Sequence, residues 1–384
     1  MAESKTVIVL GGGVGGVVAA RRLRSRLSQD HRVVLIDRRP EQSFPPSYTW
    51  VMTGERKPAA ITRDLRNLRR KGIEFVEGNV DAIDVAARRV AVGDREYAYD
   101  YLVVALGAEL AMDAVPGLAG EAFTYYEVDG AARLHEALDD FTGGKVALVV
   151  SSLPYKCPAA PYEGAMQLDG LFRRRGIRNR VELSLSTPEG QPLPVAGPAV
   201  GSAVASMLQA KGIAFHPKRT LVSVDRAARE LVFDGGERER FDLLIAVPPH
   251  RPPAVVAGSP FAGETGWASV DPASLETKVS GVYALGDVTA IPLPDGMLLP
   301  KAGVFAHREA EVVAAAIAAA IRGERSDDRF TGEGVCFLET GDGRAGLASG
   351  NFYGQPRQVR MRGPARWYRL QKALFERWWL FRWY

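Results

Sequence analysis

The chain has 384 residues, of which 46% are hydrophobic and 24% are charged, a composition typical of a globular protein with a large core. Its formal net charge is +4, but residues 357–384 alone carry +7, so the rest of the chain carries −3. This distribution excludes a basic surface over the whole chain, and we expect no nucleic-acid partner; the two cysteines and five scattered histidines lack the spacing of a disulfide scaffold or a metal site.

The chain shows no targeting or membrane-spanning segment in its sequence pattern. Its first residues, MAESK, run directly into a predicted strand, without the apolar stretch of a secretory signal. The longest apolar run, residues 312–321, is too short to cross a bilayer. We therefore expect neither a secretory signal nor a transmembrane helix.

The first motif, KTVIVLGGGVGGVVAARRLR, reads as a strand, a glycine turn and a helix. Its glycines fit G-x-G-x-x-G, which lets a pyrophosphate approach the backbone at a helix N-terminus. The next predicted strand ends at Asp37, 21 residues after Gly16, where an acid binds ribose hydroxyls. This order predicts a dinucleotide-binding Rossmann unit whose cofactor contacts come from Gly11, Gly13, Val14, Gly15, Gly16, Asp37 and Arg38.

Two later segments, YDYLVVALGA (99–108) and TKVSGVYALGDVTAI (277–291), resemble the FAD-binding segments of flavoproteins with two dinucleotide-binding domains. The resemblance implies that Asp287, after Gly286, binds the ribityl or pyrophosphate region of FAD. It also implies that Ala105 and Gly107 lie at the crossover between the domains, and that Val80 lies near the adenine. The fold class expected is therefore α/β with two Rossmann-like domains.

The second predicted Rossmann unit lacks the two sequence features that bind a nucleotide. A strand at 145–150, an amphipathic stretch at 162–175 and a strand at 181–187 repeat the first pattern. However, the turn reads SSLPYKCP rather than G-x-G-x-x-G, and the second strand ends Ser186-Thr187-Pro188 without an acid in the ribose position. We expect a domain that keeps the fold but not the NAD(P)H site. The predicted domains are residues 1–110 with 266–325 for FAD, 111–265 for the second unit, and 326–384 for a C-terminal cap.

Cys157 stands in the motif C-P-x-A-P-Y-E, and Cys336 precedes Phe337 in the C-terminal segment. Together with FPPSYTWVMTGERKP (44–58) and PKAGVFAHREAEVVAAAI (300–317), these motifs resemble the sulfide:quinone oxidoreductases and the related flavin subunit of flavocytochrome c sulfide dehydrogenase. Several motifs match in order across most of the chain. A third cysteine that many members carry is missing from residues 120–127, which puts a covalent flavin link through that residue in doubt.

The resemblance implies FAD-dependent oxidation of sulfide, or of a small persulfide, through a redox-active pair formed by Cys157 and Cys336. The pair is held as a disulfide or polysulfide, sulfane sulfur is formed, and electrons pass to a membrane quinone. Glu163 is a candidate proton acceptor, and it could equally cap the following helix. Phe337 and Tyr353 are candidates for stacking on the quinone ring.

Lys301 and Ala302 belong to the sequence PKAG (300–303), which begins a long alanine-rich helix. A cation or a helix N-terminus near the flavin N1 and O2 atoms stabilises the anionic reduced flavin. We therefore expect the ammonium of Lys301 and the N–H groups of Ala302 and Gly303 to face the flavin. The alternative is a solvated lysine that merely precedes a helix.

The chain ends in RWYRLQKALFERWWLFRWY, in which apolar residues recur at helical spacing and basic residues interleave with them. A basic amphipathic helix rich in tryptophan is typical of a membrane interface. We expect a monotopic protein, peripheral on the cell membrane; the alternatives are a helix packed on the protein's own core or on another subunit. The apolar positions are Trp367, Leu370, Leu374, Trp378 and Phe381, and the basic ones are Arg366, Arg369, Lys372, Arg377 and Arg382.

Three other functions remain open at the level of sequence. A type II NADH dehydrogenase shares the architecture but requires the missing second glycine motif. A non-catalytic flavoprotein that stores or senses sulfane sulfur would bind FAD without quinone turnover. A flavocytochrome subunit would pass its electrons to haem, and the absent signal and the aromatic tail disfavour it. The sequence also leaves open the sulfur product, the quinone type and the oligomeric state, a homo-oligomer included.

Overall fold

A computed structural model describes residues 4–384 of the chain. Helices form where the sequence supplies alanine-rich or amphipathic stretches, and none of them, within the described residues, is long and apolar enough to cross a membrane. In chain order the α-helices of this part are α1 Val14–Arg26, α2 Tyr48–Met52, α3 Pro58–Ile61, α4 Val128–Asp140, α5 Ala160–Arg174, α6 Pro198–Ala210, α7 Ala254–Ala257, α8 Gly303–Ile321 and α9 Arg366–Arg382.

The first sheet is parallel and is buried on both faces, as its continuous apolar strands require. Val7 and Val9 belong to the core shared with α1 and α8, whereas Ile8 and Leu10 belong to the core on the opposite face. The strand order is Val282–Ala284, Tyr101–Val104, Thr6–Leu10, Arg32–Asp37 and Glu74–Glu77.

The second sheet is also parallel and contains the strand that precedes the Cys157 loop. Its order is Ala214–His216, Val181–Ser186, Gly144–Val150 and Leu243–Val247. The α/β prediction with two parallel sheets is therefore confirmed. In both sheets the first strand of the unit lies next to a strand from much later in its unit, and ligands of open α/β sheets bind at this switch in strand order.

Smaller antiparallel pieces cover or connect these sheets. Three-stranded sheets are formed by 82–84, 89–92 and 95–98 and by 221–225, 230–233 and 238–240. Strand Glu41–Ser43 pairs with Thr62–Asp64. Strand Glu109–Leu110 pairs with His250–Arg251, so the two connections between the first unit and the second run side by side.

The C-terminal segment is an antiparallel meander of Glu333–Glu339, Ala345–Asn351 and Gln358–Ala365, followed directly by α9. The first strand of the meander packs against α5 and α8, and α9 packs against the meander. This arrangement places Cys336 on a strand that packs against α5, which follows the Cys157 loop, and α8, which follows the Gly-Asp segment.

Candidate functional site

One large cavity lies where the glycine turn of the first unit, the Cys157 loop, the C-terminal meander and α9 meet. Its volume is 1940 Å³, larger than the roughly 300–1,000 Å³ of an ordinary small-molecule pocket. The cavity therefore has room for an extended cofactor and a second ligand. Among the predicted site residues that line it are Gly11, Gly13, Val14, Gly15, Asp37, Arg38, Val80, Ala105, Gly107, Gly286, Asp287, Lys301, Ala302, Cys157, Glu163, Cys336 and Phe337.

The glycine turn presents backbone to this cavity. Gly11 has a φ of +97°, and a Cβ there would lie 2.3 Å from the carbonyl oxygen of Ala105, so only glycine fits. Gly13 caps α1 without a side-chain hydrogen bond, and a Cβ there would meet no atom within 4 Å. Gly16 does not line the cavity, contrary to our expectation of a cofactor contact: it lies beneath the turn, against the carbonyl of Gly11.

Asp37 fastens the turn to the end of the second strand. Its carboxylate accepts a hydrogen bond from the amide of Gly12 at 2.5 Å and from the amide of Arg39 at 2.8 Å. Arg38 is exposed at the cavity and lies 3.9 Å from Glu109. Asp37 thus holds the shape of the anion-binding turn while it lines the cavity.

Asp287 brings an unpartnered polar atom to the cavity. Its Oδ1 is buried and has no hydrogen-bond partner among the described residues. Burial raises the pKa of this carboxyl group, while the positive charges of Lys156 and Lys301 oppose the rise. A buried polar atom without a partner is costly, so it indicates a missing ligand group. Together with the open glycine turn and the N-termini of α1 and α8, it fits a dinucleotide cofactor.

Lys301 is placed differently from our expectation. It is not solvated, and its ammonium donates to the carbonyl oxygens of Asp287 at 2.8 Å and Thr289 at 2.6 Å. The same ammonium lies 3.5 Å from the ring centroid of Trp267. Lys301 therefore fastens the Gly-Asp segment, and the N–H groups at the start of α8, beside Ala302, remain as the positive end that faces the cavity.

In the second unit, side chains hydrogen-bond to one another between the loop after the first strand and the segment after the second strand. Glu189, just beyond the second strand, accepts hydrogen bonds from the hydroxyl of Tyr155 at 2.9 Å and from that of Tyr162. The hydroxyl of Thr187 donates to the same oxygen at 3.4 Å. Tyr155 belongs to the loop that replaced the glycine motif. The carboxylate of Glu189 therefore holds this loop.

Cys157 and Cys336 line the same cavity as free thiols, both reached by solvent through it. Cys157 has a φ of +50°, and its amide donates to the carbonyl of Lys301 at 2.6 Å, which ties the loop to the start of α8. Although solvent reaches the thiol, the surrounding cavity walls remove much of its hydration, and this desolvation and the negative charge of Cys336 raise the pKa of Cys157 far above its ordinary value. Burial also raises the pKa of Cys336 to about 11, and for both thiols Lys372 opposes the rise.

Glu163 lies in the first turn of α5 but does not cap it, so that alternative is wrong. Its Oε1 accepts hydrogen bonds from Thr49 at 2.9 Å and from Lys372 of α9 at 2.7 Å. Burial raises the pKa of Glu163, against the lowering effect of Lys372. Burial alone would lower the pKa of Lys372, but Glu163 and Glu339 outweigh it and raise that pKa. The pair is thus a buried ion pair between α5 and α9.

Of the two residues predicted to stack on the quinone ring, one lines the cavity and the other does not. Phe337 lines the cavity next to Cys336. Tyr353 does not line it: its hydroxyl donates to the carbonyl of Pro272 at 3.0 Å, and its ring packs edge-on against Phe330. The aromatic lining near Phe337 comes instead from α9 and includes Phe375, Trp378 and Trp379.

Helix α9 has two contrasting faces. Lys372, Glu376 and Trp379 are buried against the body of the protein, where Glu376 accepts from Arg56 at 2.9 Å. The five apolar positions predicted from helical spacing are exposed on the opposite face. Phe381 is the most exposed of them, with 87% of its surface accessible to solvent. The expectation that Lys372 and Arg369 face lipid is wrong, because both are used in ion pairs with the protein.

Three residues at the cavity were not anticipated from the sequence. Lys156 precedes Cys157 and lines the cavity, with no hydrogen bond or ion pair to another described residue. Tyr126, within the segment that lacks the third cysteine, donates to the carbonyl of Cys157 at 3.3 Å. Lys372 repeats with Glu376 and Trp379 at helical spacing, a pattern on the second face of α9 that could have indicated an inward position. Within residues 4–384 there is no cluster that could hold a metal ion.

Comparison with known proteins extends these observations. Residues 5–320 match the family model described as pyridine nucleotide-disulphide oxidoreductase. The mitochondrial sulfide:quinone oxidoreductase of Mus musculus is 25% identical over 91% of this chain and 79% of its own length. The sulfide-quinone reductase of Aquifex aeolicus is 26% identical over 99% of this chain and 91% of its own. The solved structure of the Aquifex aeolicus sulfide:quinone oxidoreductase superimposes with a TM-score of 0.89 at 24% identity, covering 99% of this chain and 91% of that one.

Proposed function

The chain belongs to the pyridine nucleotide-disulphide oxidoreductase family, and from this premise we propose that it is an FAD-dependent sulfide:quinone oxidoreductase. The sulfide-oxidising relatives, similar over nearly the whole chain, support this reading. The observation that carries it is the meeting of Cys157 and Cys336 in the cavity of the glycine turn. Neither a type II NADH dehydrogenase nor a simple dinucleotide-binding protein requires a thiol pair there.

FAD would be held by the glycine turn, by Asp37 at the ribose and by Asp287 at the ribityl or pyrophosphate region. The unpartnered Oδ1 of Asp287 and the first-turn N–H groups of α8 supply the polar contacts. When bound, FAD supplies two-electron chemistry at this site. The proposed FAD domain is residues 1–110 with 266–325, followed by a cap at 326–384 and interrupted by a second unit at 111–265.

The cysteine pair would receive the substrate sulfur. Hydrosulfide attacks one sulfur of the Cys157–Cys336 disulfide, so that an S–S bond forms to the substrate and the old S–S bond breaks. One cysteine then carries a persulfide, and the other leaves as a thiolate or takes a proton. Because the pKa of Cys336 is raised to about 11 even with the lowering effect of Lys372, its leaving sulfur takes a proton near neutral pH.

Glu163 and Lys372 would manage the protons that accompany the electrons. A quinone takes up two protons on two-electron reduction, and a buried carboxyl with a raised pKa, hydrogen-bonded to an ammonium, can hold and release one. The aromatic lining next to this pair, Phe337, Phe375 and Trp378, suits an apolar ring. We assign the quinone to this end of the cavity.

NAD(P)H would not be the electron donor. The second unit offers Tyr155, Tyr162 and Glu189 where a nucleotide would need a glycine turn and a free acid. If sulfide donates its electrons at the cysteine pair, the enzyme does not need an NAD(P)H site in the second unit.

Helix α9 would dock the enzyme on the membrane as a peripheral protein. Its exposed apolar face lies beside the aromatic end of the cavity, to which Trp378 contributes. Five arginines on or next to this helix form no ion pair with another described residue and can meet anionic lipid: Arg360, Arg362, Arg366, Arg377 and Arg382. A lipid-dissolved quinone would then enter without crossing water.

The decisive experiment is an anaerobic titration followed by the visible absorbance of the bound flavin. NADH is added first, then sulfide, then a short-chain quinone. We expect no response to NADH, bleaching by sulfide and recovery with quinone. Bleaching without recovery would favour a sulfane-sulfur store, and rapid bleaching by NADH would contradict the proposal.

A further inference from the structure

Lys372 of α9 lies between two carboxylates that belong to the two cysteine-bearing elements. Its Nζ is 2.7 Å from Oε1 of Glu163 and 3.5 Å from Oε1 of Glu339. Glu163 follows Cys157 by six residues, at the start of α5, and Glu339 follows Cys336 by three residues on the same strand. One ammonium therefore joins the loop-helix of one cysteine to the strand of the other.

The surroundings of this ammonium exclude water almost completely. The side chains of Lys372, Glu163 and Glu339 are 4%, 9% and 1% exposed, and the ring centroid of Trp50 lies 4.6 Å from Nζ. Two carboxylates buried this closely repel each other unless a cation lies between them, and removing one partner of a buried ion pair is strongly destabilising. The close approach of the two carboxylates thus depends on Lys372, which lies between them.

Other contacts also join α5 to the strand of Cys336. Gly170 of α5 lies against the backbone of Gly341, where a Cβ on Gly170 would be 1.9 Å from the carbonyl oxygen of Gly341. Gln167, one turn of α5 after Glu163, donates to Oε2 of Glu339 at 2.8 Å, and Arg369 of α9 lies 3.2 Å from the same oxygen. Among the described residues, however, Lys372 is the one cation that is paired with both Glu163 and Glu339.

We propose that Lys372 is a positioning residue that sets the distance between Cys157 and Cys336, so that the helix with the exposed apolar face also controls whether the pair can close. The proposal rests on the proposed function of the cysteine pair. It assigns to Lys372 a role on the thiols themselves, separate from any proton that Glu163 carries to a quinone.

The test is the thiol–disulfide equilibrium of the FAD-loaded protein against glutathione, measured by mass spectrometry of the Cys157–Cys336 peptide pair at pH 7. The reaction is one protein dithiol plus oxidised glutathione giving one protein disulfide plus two reduced glutathiones, so atoms and electrons balance. The ratio reports the effective concentration of one thiol at the other. Both thiols have raised pKa values and stay protonated at pH 7, so a further rise does not alter this equilibrium.

We expect Lys372→Met to lower the effective concentration at least tenfold, which is about 30 mV in the potential of the couple. Lys372→Arg, which keeps the charge, should restore most of it. Arg377→Met is the matched control, because Arg377 is an exposed cation of the same helix with no ion-pair partner in residues 4–384, and it should leave the value unchanged. A Lys372→Met protein with the wild-type value would overturn the proposal.

A second variant keeps the test decisive. If Lys372→Met loses its flavin, Glu339→Gln replaces it: this variant keeps the Lys372–Glu163 pair but removes the charge at the strand, and it should also lower the effective concentration. An unchanged value there would equally overturn the proposal. The glutathione equilibrium uses no sulfide and no quinone, so a failed sulfide titration of the wild type contradicts the proposed function without deciding the role of Lys372.

Discussion

The ammonium of Lys301 donates a hydrogen bond to the carbonyl oxygen of Asp287 at 2.8 Å, across fourteen residues of sequence. The carboxylate of the same aspartate is left with an unpartnered oxygen at the cavity. The lysine therefore fixes the backbone of the Gly-Asp segment, and the aspartate side chain stays available to a ligand. The two residues divide structural support and ligand contact between them.

Replacement of Lys301 by methionine should weaken the fold and the retention of FAD together. The change leaves two carbonyl oxygens, those of Asp287 and Thr289, without their charged donor, and such a loss costs about 1–3 kcal/mol per group. We expect thermal unfolding, followed by the release of flavin fluorescence, at a lower temperature than for the wild type. An unchanged unfolding temperature with a shifted flavin potential would instead favour a direct contact of Lys301 with the flavin.

Glu309 should make the stability of the protein depend on pH. Its carboxyl group on α8 is 1% exposed, and burial raises its pKa from 4.5 to about 7 despite a hydrogen bond from the amide of Gly286. Between these two values the folded state binds one more proton than the unfolded state. The stabilisation is full below pH 4.5 and is lost as the pH rises through 7, a change of about 3 kcal/mol.

The variant Glu309→Gln removes this titration and keeps an acceptor for Gly286. In urea unfolding of the FAD-loaded proteins, the difference in unfolding free energy between variant and wild type should grow in favour of the variant from pH 5 to pH 8. Parallel pH profiles for the two proteins would show that Glu309 keeps an ordinary pKa in the folded state.

Cys336 should react slowly with alkylating reagents at neutral pH. Its pKa is raised to about 11 by burial and by the charge of Glu163, and the thiolate is the reactive form. In a Cys157→Ser background, the rate of iodoacetamide labelling should rise about tenfold per pH unit between 7 and 10. Glu163→Gln removes a neighbouring negative charge and should move the profile to lower pH. A rate that levels off below pH 8 would contradict the raised pKa.

Gly13→Ala should separate cofactor binding from folding. A Cβ at this position meets no protein atom within 4 Å and points into the space offered to the pyrophosphate, so we expect normal unfolding but weaker FAD binding, measured by flavin titration of the apoprotein. Gly16→Ala is the contrasting variant, because its Cβ would lie 1.8 Å from the carbonyl oxygen of Gly11 and must displace backbone. It should unfold at a lower temperature with or without FAD.

The sequence predicts the parallel sheets and the glycine turn because these depend on local chemistry: apolar runs, glycine spacing and an acid at a strand end. It does not predict where a long side chain ends. Lys301 precedes a helix as expected and lines the cavity, yet its ammonium donates to two carbonyl oxygens of the Gly-Asp segment. Likewise, the hydrogen bond from Tyr155 to Glu189 joins residues 34 positions apart, which no local pattern reveals.

The C-terminal helix shows the same limit in another form. Periodicity correctly groups Trp367, Leu370 and Leu374 on one face. Periodicity does not show which face of the helix packs against the protein, because the second face also carries aromatic residues, Trp379 and Trp383. Lys372 was therefore grouped with the lipid-facing cations, although its buried position depends on Glu163 and Glu339, two residues on other elements.

The exposed face of α9 should be required for binding to vesicles, and point changes test it better than deletion. Deleting residues 364–384 would also remove Lys372 and the buried Trp379 from the cavity wall. The triple change Leu374→Gln, Trp378→Gln and Phe381→Gln alters side chains that are 52%, 48% and 87% exposed and leaves the buried face intact. Full burial of each such apolar side chain contributes about 1.5–3 kcal/mol.

We therefore expect at least a tenfold loss of binding to vesicles of phosphatidylcholine and phosphatidylglycerol in a flotation assay. Val222→Gln is the matched control, since Val222 is 51% exposed on the second unit, away from α9, and should bind as the wild type does. Raising the salt concentration should weaken wild-type binding further if the unpaired arginines beside the helix contact anionic headgroups. Wild-type flotation by the triple variant would mean that the exposed face is covered by another subunit instead, and size measurement in detergent-free buffer would then show an oligomer.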